Sequence, residues 1–220
     1  MIVRPRGDVN PTQEQRMKTF NYQRFYDRFS GFYAPLVRLI PVWFAYSCRA
    51  LERAPQHGRV LEIGPGPGLL LERAAQSRQY ACLVGLDLSW GMLLQAQRRL
   101  QRAGVHSFLV QGDAVHLPFA RHTFDGVVMS FVFGAIPDGL GALREVARVL
   151  RPGGVLSMVE AGVPSDGNIG GTLLAKLWTF FGDILRDEAL LMQEAGLTVI
   201  HREEFGPFQS LRLVVGRKDS

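Results

Sequence analysis

The sequence predicts an α/β protein: a Rossmann-like, mostly parallel sheet with helices on both faces and a helical cover at its N-terminal end. Three observations predict it. From about Arg59 onward, short β-rich runs alternate with helical patterns, the order that a parallel sheet and its crossovers require. The run "FDGVVMSFVF" carries no charge after Asp125, as expected of a central strand covered on both faces. The first strand runs directly into "GPGPG", where a chain must turn sharply before a helix begins.

Taken in order, "GRVLEIG" is the first strand and "GLLLERAAQS" its helix. "ACLVGLDLS" is the second strand, followed by a helix through "GMLLQAQRRLQRAG", and "HSFLVQGDA" is the third. After the fourth, "FDGVVMSFVF", the segment "GLGALREVARVL" sets Leu140, Leu143, Val146, Ala147 and Leu150 on one helical face. "GGVLSMVEA" is the fifth strand. The last stretch, "LLMQEAGLTVIHREEFGPFQSLRLVVGRK", reads as a helix and two strands around a Gly-Pro turn, close enough in sequence to pair antiparallel.

These elements divide one domain, 1–220, into four parts: a helical, aromatic-rich cover (1–52), a core (59–160), an insertion (161–186), and a final helix with a β-hairpin (187–220). The insertion follows the carboxyl end of a strand, where such sheets bind ligands, so it and the N-terminal segment are candidate substrate covers. Within the insertion Leu173, Leu177 and Phe181 recur every four residues beside Leu174 and Trp178, giving an apolar face. Closure of the domain core is the first expectation for that face, ahead of contact with a lipid.

A length of 220 residues suits one well-buried core, and 47% hydrophobic with 20% charged residues is the balance of a globular domain. The two cysteines, Cys48 and Cys82, stand far apart with no CxxC spacing, which indicates neither a zinc site nor a disulfide framework and fits a reducing cytoplasm. The opening "MIVRPRGDVNPTQEQRMK" lacks the apolar core of a secretory signal. Leu36–Cys48 is apolar but holds Arg38 and Pro41 and falls short of the ~20 residues that span a bilayer. A net charge of +5 comes from arginines scattered among acids. No basic stripe marks a nucleic-acid surface, whereas peripheral contact with a membrane is compatible.

Gly64, Gly66 and Gly68 let the backbone approach a ligand at the N-terminus of a helix, where free amides bind polar groups. A dinucleotide loop prefers GxGxxG, and here the third glycine comes one residue early. Asp87, closing the second strand, is placed to accept both hydroxyl protons of a ribose, which by itself leaves a nicotinamide enzyme open. Asp113 in "GDAVHLPF" can accept from an exocyclic amine, with the backbone amide of Ala114 beside it.

"VLEIGPGPG", "GLDLS", "GDAVHLPF", "FDGVVMS" and "RVLRPGG", in that order, resemble the class I S-adenosylmethionine-dependent methyltransferases. The resemblance is greatest to the branch holding the ubiquinone/menaquinone C-methyltransferases and small phospholipid N-methyltransferases, and it spans roughly residues 59–160. It implies a seven-stranded, mostly parallel sheet with an antiparallel last strand. It also implies that Glu62, Gly64, Pro65, Gly66 and Gly68 hold the methionine part of S-adenosylmethionine and that Asp87 binds its ribose. Leu88 and Met92 would then pack near the adenine, Asp113 and Ala114 meet its edge, and Ser130 and Phe131 line the floor. "FYDRFSGFYAPL" resembles the family's N-terminal tyrosine segment, with Tyr33 closing over the cofactor and Tyr26 in reserve; Ala34 stands where the family often has Asp.

Methyl transfer from a sulfonium asks mainly for orientation and exclusion of water. Where an acceptor must lose a proton, Glu160, at the carboxyl end of the fifth strand, is the candidate catalytic base, against a strand-end carboxylate in solvent. The expected acceptor is a small, apolar molecule: a quinone precursor, a lipid headgroup or a secondary metabolite. An NAD(P)-dependent oxidoreductase and a non-catalytic cofactor-binding module of the same fold are the alternatives.

Overall fold

The strand-and-helix alternation becomes a single twisted sheet in the computed structural model, which describes residues 2–3, 41–77, 80–179 and 183–219, without the side chains of residues 41 and 178. Tyr26, Tyr33 and Phe181 lie outside those residues, as does most of the 1–52 segment. The strands are β1 (Ile2–Val3), β2 (Gly58–Ile63), β3 (Tyr80–Asp87), β4 (Phe108–Gln111), β5 (Phe124–Ser130), β6 (Leu150–Ala161), β7 (Leu197–Phe205) and β8 (Leu211–Lys218). Their spatial order is β1-β4-β3-β2-β5-β6-β8-β7. All neighbours are parallel except the pairs β6–β8 and β7–β8, so β8 alone runs against the rest. The antiparallel last strand is therefore found. The sheet gains one strand over the expected seven, because Ile2 and Val3 pair with Leu109 and Val110 at the β4 edge.

The helices are α1 (Pro41–Arg53), α2 (Leu69–Ser77), α3 (Trp90–Arg102), α4 (Gly139–Val149), α5 (Ile169–Thr179) and α6 (Glu188–Glu194). Side chains alternate along each strand and feed two cores. Val60, Leu83, Val128 and Val159 meet Leu51 of α1, Leu71 of α2 and Leu93 of α3 on one face. Leu61, Leu86, Val127 and Met158 meet Leu143 of α4 and Met192 of α6 on the other.

Local chemistry sets the helix ends. Ser89 caps α3, its hydroxyl accepting from the Met92 amide at 3.2 Å, and Asp138 caps α4 by accepting from Gly141 at 2.8 Å. Met92, Leu93, Ala96 and Leu100 then line the buried side of α3. The buried face of α4 is Ala142, Leu143, Val146 and Val149, turned from the expected one. Leu140 and Ala147 are half-buried, and Leu150 already belongs to β6. The sixth strand thus begins earlier than "GGVLSMVEA" implies. Its pairing jumps from Phe124–Leu150 to Gly126–Val155 across the Arg-Pro-Gly-Gly stretch.

Strand order places the site. From β2 the chain winds outward through β3 and β4, then crosses back to β5 and β6 on the other side. The reversal beside β2 is where α/β sheets open a crevice at the carboxyl ends of their strands.

Candidate functional site

At that crevice the chain leaves β2 through Gly64–Gly68, whose three glycines have φ of +68°, +52° and +81°. An L residue resists this left-handed backbone, and only glycine adopts it freely. The Gly64 amide donates to Leu86 O at 2.8 Å, and the Gly68 amide to Pro65 O at 2.9 Å, folding the loop onto the end of β3. A side chain at Gly64 would overlap Val132 of the loop after β5, whereas one at Gly66 would meet nothing within 4 Å among the described residues. The inner side of the loop is therefore filled by protein and the side at Gly66 is open.

Asp87 binds this loop from the end of β3. Its Oδ2 accepts from the Gly66 amide at 3.0 Å and its Oδ1 from the Ser89 amide at 2.9 Å. Leu88, next along, is exposed, and Met92 is buried in the first turn of α3. Asp113 is exposed on the loop after β4, its Oδ1 accepting from the Val115 amide at 3.0 Å, and Ala114 beside it is buried.

Glu62 stands one residue before the end of β2, opposite Gly85 of β3, on the face covered by α1, α2 and α3. It is only 5% exposed, and no hydrogen bond reaches its carboxylate among the described residues. Burial, with the charge of Asp87 second, pushes its pKa from 4.5 to about 8.

Glu160 occupies the matching position near the end of β6, but on the opposite face, beside α4 and α6. It is also 5% exposed, and burial raises its pKa to about 8. The Phe133 and Val132 amides pull that value back, and Asp183 and Glu188 push it up. Unlike Glu62 it is engaged: Oε1 accepts from the Val132 amide at 2.7 Å and the Phe133 amide at 2.5 Å. Those amides follow Phe131, which holds φ +51° and donates its own amide to Val159 O at 2.9 Å. Non-glycine residues in that region store strain and need the surroundings to hold them. Ser130, just before, has a buried hydroxyl with no hydrogen-bond partner among the described residues.

The structure thus brings Glu62, the glycine loop, Asp87, Ser130 and Phe131 to one edge of the sheet, with Leu88, Met92, Asp113 and Ala114 flanking it. Three further residues contribute, of which Trp43 falls in the aromatic-rich segment expected to form a cover and the other two escaped the sequence reading. Trp43 of α1 stacks edge-on against Phe131 with ring centroids 4.9 Å apart. Arg186 grips the loop after β5 from outside, donating to the carbonyls of Phe133, Ile136 and Pro137 at 2.9, 2.6 and 2.8 Å. Arg212 lies beneath the insertion. Its signal is visible in the sequence, a lone charge inside the apolar run "LRLVV".

Residues 61–158 match the family described as a methyltransferase domain. The matched residues make up a little under half of the chain. Demethylmenaquinone methyltransferase of Corynebacterium urealyticum is 37% identical to it over 125 residues, 56% of this chain and 50% of that protein. The Thermus thermophilus enzyme of the same name is 36% identical over 121 residues, 55% of this chain and 54% of that protein. The chain spans about half the length of these curated relatives. Among solved structures, the complex of the Haloferax volcanii Trm112 methyltransferase activator with a putative methyltransferase superposes with a TM-score of 0.72. At 21% identity, covering 89% of this chain and 98% of that one, it is a likeness of fold. None of these likenesses lends support to the nicotinamide alternative. Among the described residues no group of three or more His, Cys, Asp or Glu could hold a metal ion, and no helix is long and apolar enough to cross a membrane.

Proposed function

We propose that this protein is an S-adenosylmethionine-dependent methyltransferase acting on a small, apolar, quinone-like acceptor. The observation that carries the reading is Glu62. A carboxyl group buried at the mouth of the crevice, without a hydrogen bond among the described residues, is suited to a cationic partner, and the ammonium of S-adenosylmethionine supplies one. The open side of the loop at Gly66 gives the methionine portion room. Asp87, fixed at the end of β3 by the Gly66 and Ser89 amides, is the acceptor for the ribose hydroxyls.

The bound sulfonium supplies an activated methyl group. The residues of this chain orient and exclude. Phe131, with Trp43 against its ring and the next two amides held by Glu160, would form the floor of the crevice. Glu160 enters as a positioning residue, because its Oε1 is engaged by the two amides that set the loop after β5. A role as base remains the competing assignment and has its own test below. Tyr33, outside the described residues, would close over the cofactor. The quinone-like acceptor rests on the names of the relatives. It agrees with Ile169, Leu173 and Leu177 of α5, which are 76%, 65% and 56% exposed instead of closing the core. Such a stripe also suits peripheral contact with a membrane.

Calorimetric titration with S-adenosylmethionine, its demethylated product and NAD tests the cofactor, and NAD binding alone would defeat the proposal. Transfer of labelled methyl to a short-chain demethylmenaquinol in detergent micelles tests the acceptor. Product-bound protein that methylates no quinone, lipid or phenol extract would instead favour the non-catalytic module.

A further inference from the structure

The insertion between β6 and α6 leaves the sheet after Ala161 and returns at Asp187, and one buried guanidinium touches both of its ends. Arg212 is the second residue of β8. That strand runs antiparallel, so its start lies at the same edge as the crevice. Register sets Arg212 opposite Glu160 on β6 and opposite Glu204 on β7. Its Nη2 donates to the carbonyl of Val163, where the insertion begins. Its Nη1 donates to the carbonyl of Arg186, where the insertion ends, at 3.2 Å, and to Glu188 Oε2 at 3.1 Å. Its Nε stands 3.6 Å from Glu204 Oε1. Glu204 completes the junction from the other strand, its Oε2 accepting from both the amide and the hydroxyl of Ser165 at 2.9 Å. Gly162 makes the room, since a Cβ there would lie 2.6 Å from the Arg212 Nε.

We propose that Arg212 is a positioning residue that staples the two ends of the insertion at the crevice edge and so governs how the cover meets the acceptor. The proposal rests on the methyltransferase reading of the crevice. Two features favour it over plain core charge pairing. Two of the partners of Arg212 are backbone carbonyls on segments separated by the whole insertion, so one side chain closes a loop of more than twenty residues. The same returning segment then continues into the Arg186 grip on the loop after β5, which carries the floor. Between its tethered ends the insertion holds α5 with its exposed Ile169, Leu173 and Leu177. A guanidinium suits this staple better than an ammonium, because its fixed fork of donors reaches carbonyls on different segments at once.

The test compares Arg212→Met, Arg212→Lys and Ser165→Ala with the parent protein. Hydrogen exchange of the intact protein reads the staple without any substrate. We expect exchange over 163–187 to speed at least about tenfold in Arg212→Met. Exchange over 60–130 and S-adenosylmethionine affinity should hold within about twofold. Arg212→Lys should recover only part of the protection, and Ser165→Ala should show a smaller loosening confined to the start of the insertion. With short-chain demethylmenaquinol as probe, KM should rise more than kcat falls. Uniform loosening of the whole domain in Arg212→Met, or unchanged exchange at 163–187, overturns the proposal. Should Arg212→Met fail to fold, unchanged protection at 163–167 in Ser165→Ala overturns it as well. If the parent fails to bind S-adenosylmethionine while the exchange pattern holds, the functional reading fails and the staple stands.

Discussion

Glu62 and Glu160 are two buried carboxyl groups at the same edge of one sheet, equally hidden and both pushed to about 8, yet their surroundings differ in kind. Around Glu62 the partners are local and mainly backbone: a loop of left-handed glycines, and Asp87 bonded to two amides. Its own carboxylate is left without a hydrogen bond among the described residues. Around Glu160 the partners come from distant elements, with two amides of the loop after β5 accepted directly and Asp183, Glu188 and Arg212 arrayed about it. The first carboxyl is the one we propose receives the cofactor, and the second already accepts two amides of the loop after β5.

The comparison breaks most sharply at the glycines. Gly64→Ala combines a left-handed backbone with overlap against Val132 and should cost roughly 3 kcal/mol or more, about 100-fold in S-adenosylmethionine affinity if the chain folds. Gly66→Ala has open space and should cost only about 1 kcal/mol of stability by thermal melting while still weakening the cofactor. Equal effects of the two on stability would contradict the filled and open sides of the loop.

Glu160→Ala leaves two amides without their acceptor and should lose about 2–4 kcal/mol in denaturant unfolding. Glu160→Gln keeps a carbonyl oxygen for them and should retain methyl transfer within about fivefold. A fall of roughly 10² to 10⁴ in kcat with stability intact would make Glu160 the base instead. Asp87→Ala should weaken cofactor binding by roughly 1–3 kcal/mol by calorimetry, and an unchanged affinity would remove Asp87 from the ribose site.

Proton release is a smaller effect and separates the carboxyls directly. Below pH 8 Glu62 is mainly protonated, and an ammonium beside it favours the ionised form, so its pKa falls on binding. Binding near pH 7 should release about one proton, and affinity should rise with pH until about 8 and then level. Calorimetry in buffers of different ionisation enthalpy measures this, and Glu62→Gln should abolish it whereas Glu160→Gln should not. The sign for stability is the reverse. Both groups are raised above their ordinary 4.5, so neither destabilises below that pH, and the folded state loses stability as pH climbs from about 4.5 to about 8. Smallest of all, Leu173→Ser with Leu177→Ser should leave stability within about 0.5 kcal/mol, because both side chains face solvent. An apolar acceptor that uses this stripe should show a KM raised roughly threefold to tenfold in the same variant. Loss of fold instead would return these leucines to the core.

What the residues alone determined is concentrated on the Glu62 side. Alternating strands and helices, the glycine loop and the closing Asp87 were legible because each is a local matter of period, backbone freedom or strand end. The antiparallel last strand followed from the short connection at "GPF". Elsewhere period was a weaker guide. The buried face of α4 centres on Ala142, Leu143, Val146 and Val149 with Leu140 and Ala147 only half-buried, and Leu173 and Leu177 of α5 face solvent, since periodicity marks an apolar face without saying what covers it. Only the tertiary structure decided the Glu160 side: that its carboxyl accepts the Val132 and Phe133 amides, that Phe131 is held left-handed against Trp43, and that Arg212 joins Val163 to Arg186. Those bonds link residues tens of positions apart through side chains whose partners are backbone groups, and a backbone carbonyl or amide leaves no mark in the sequence.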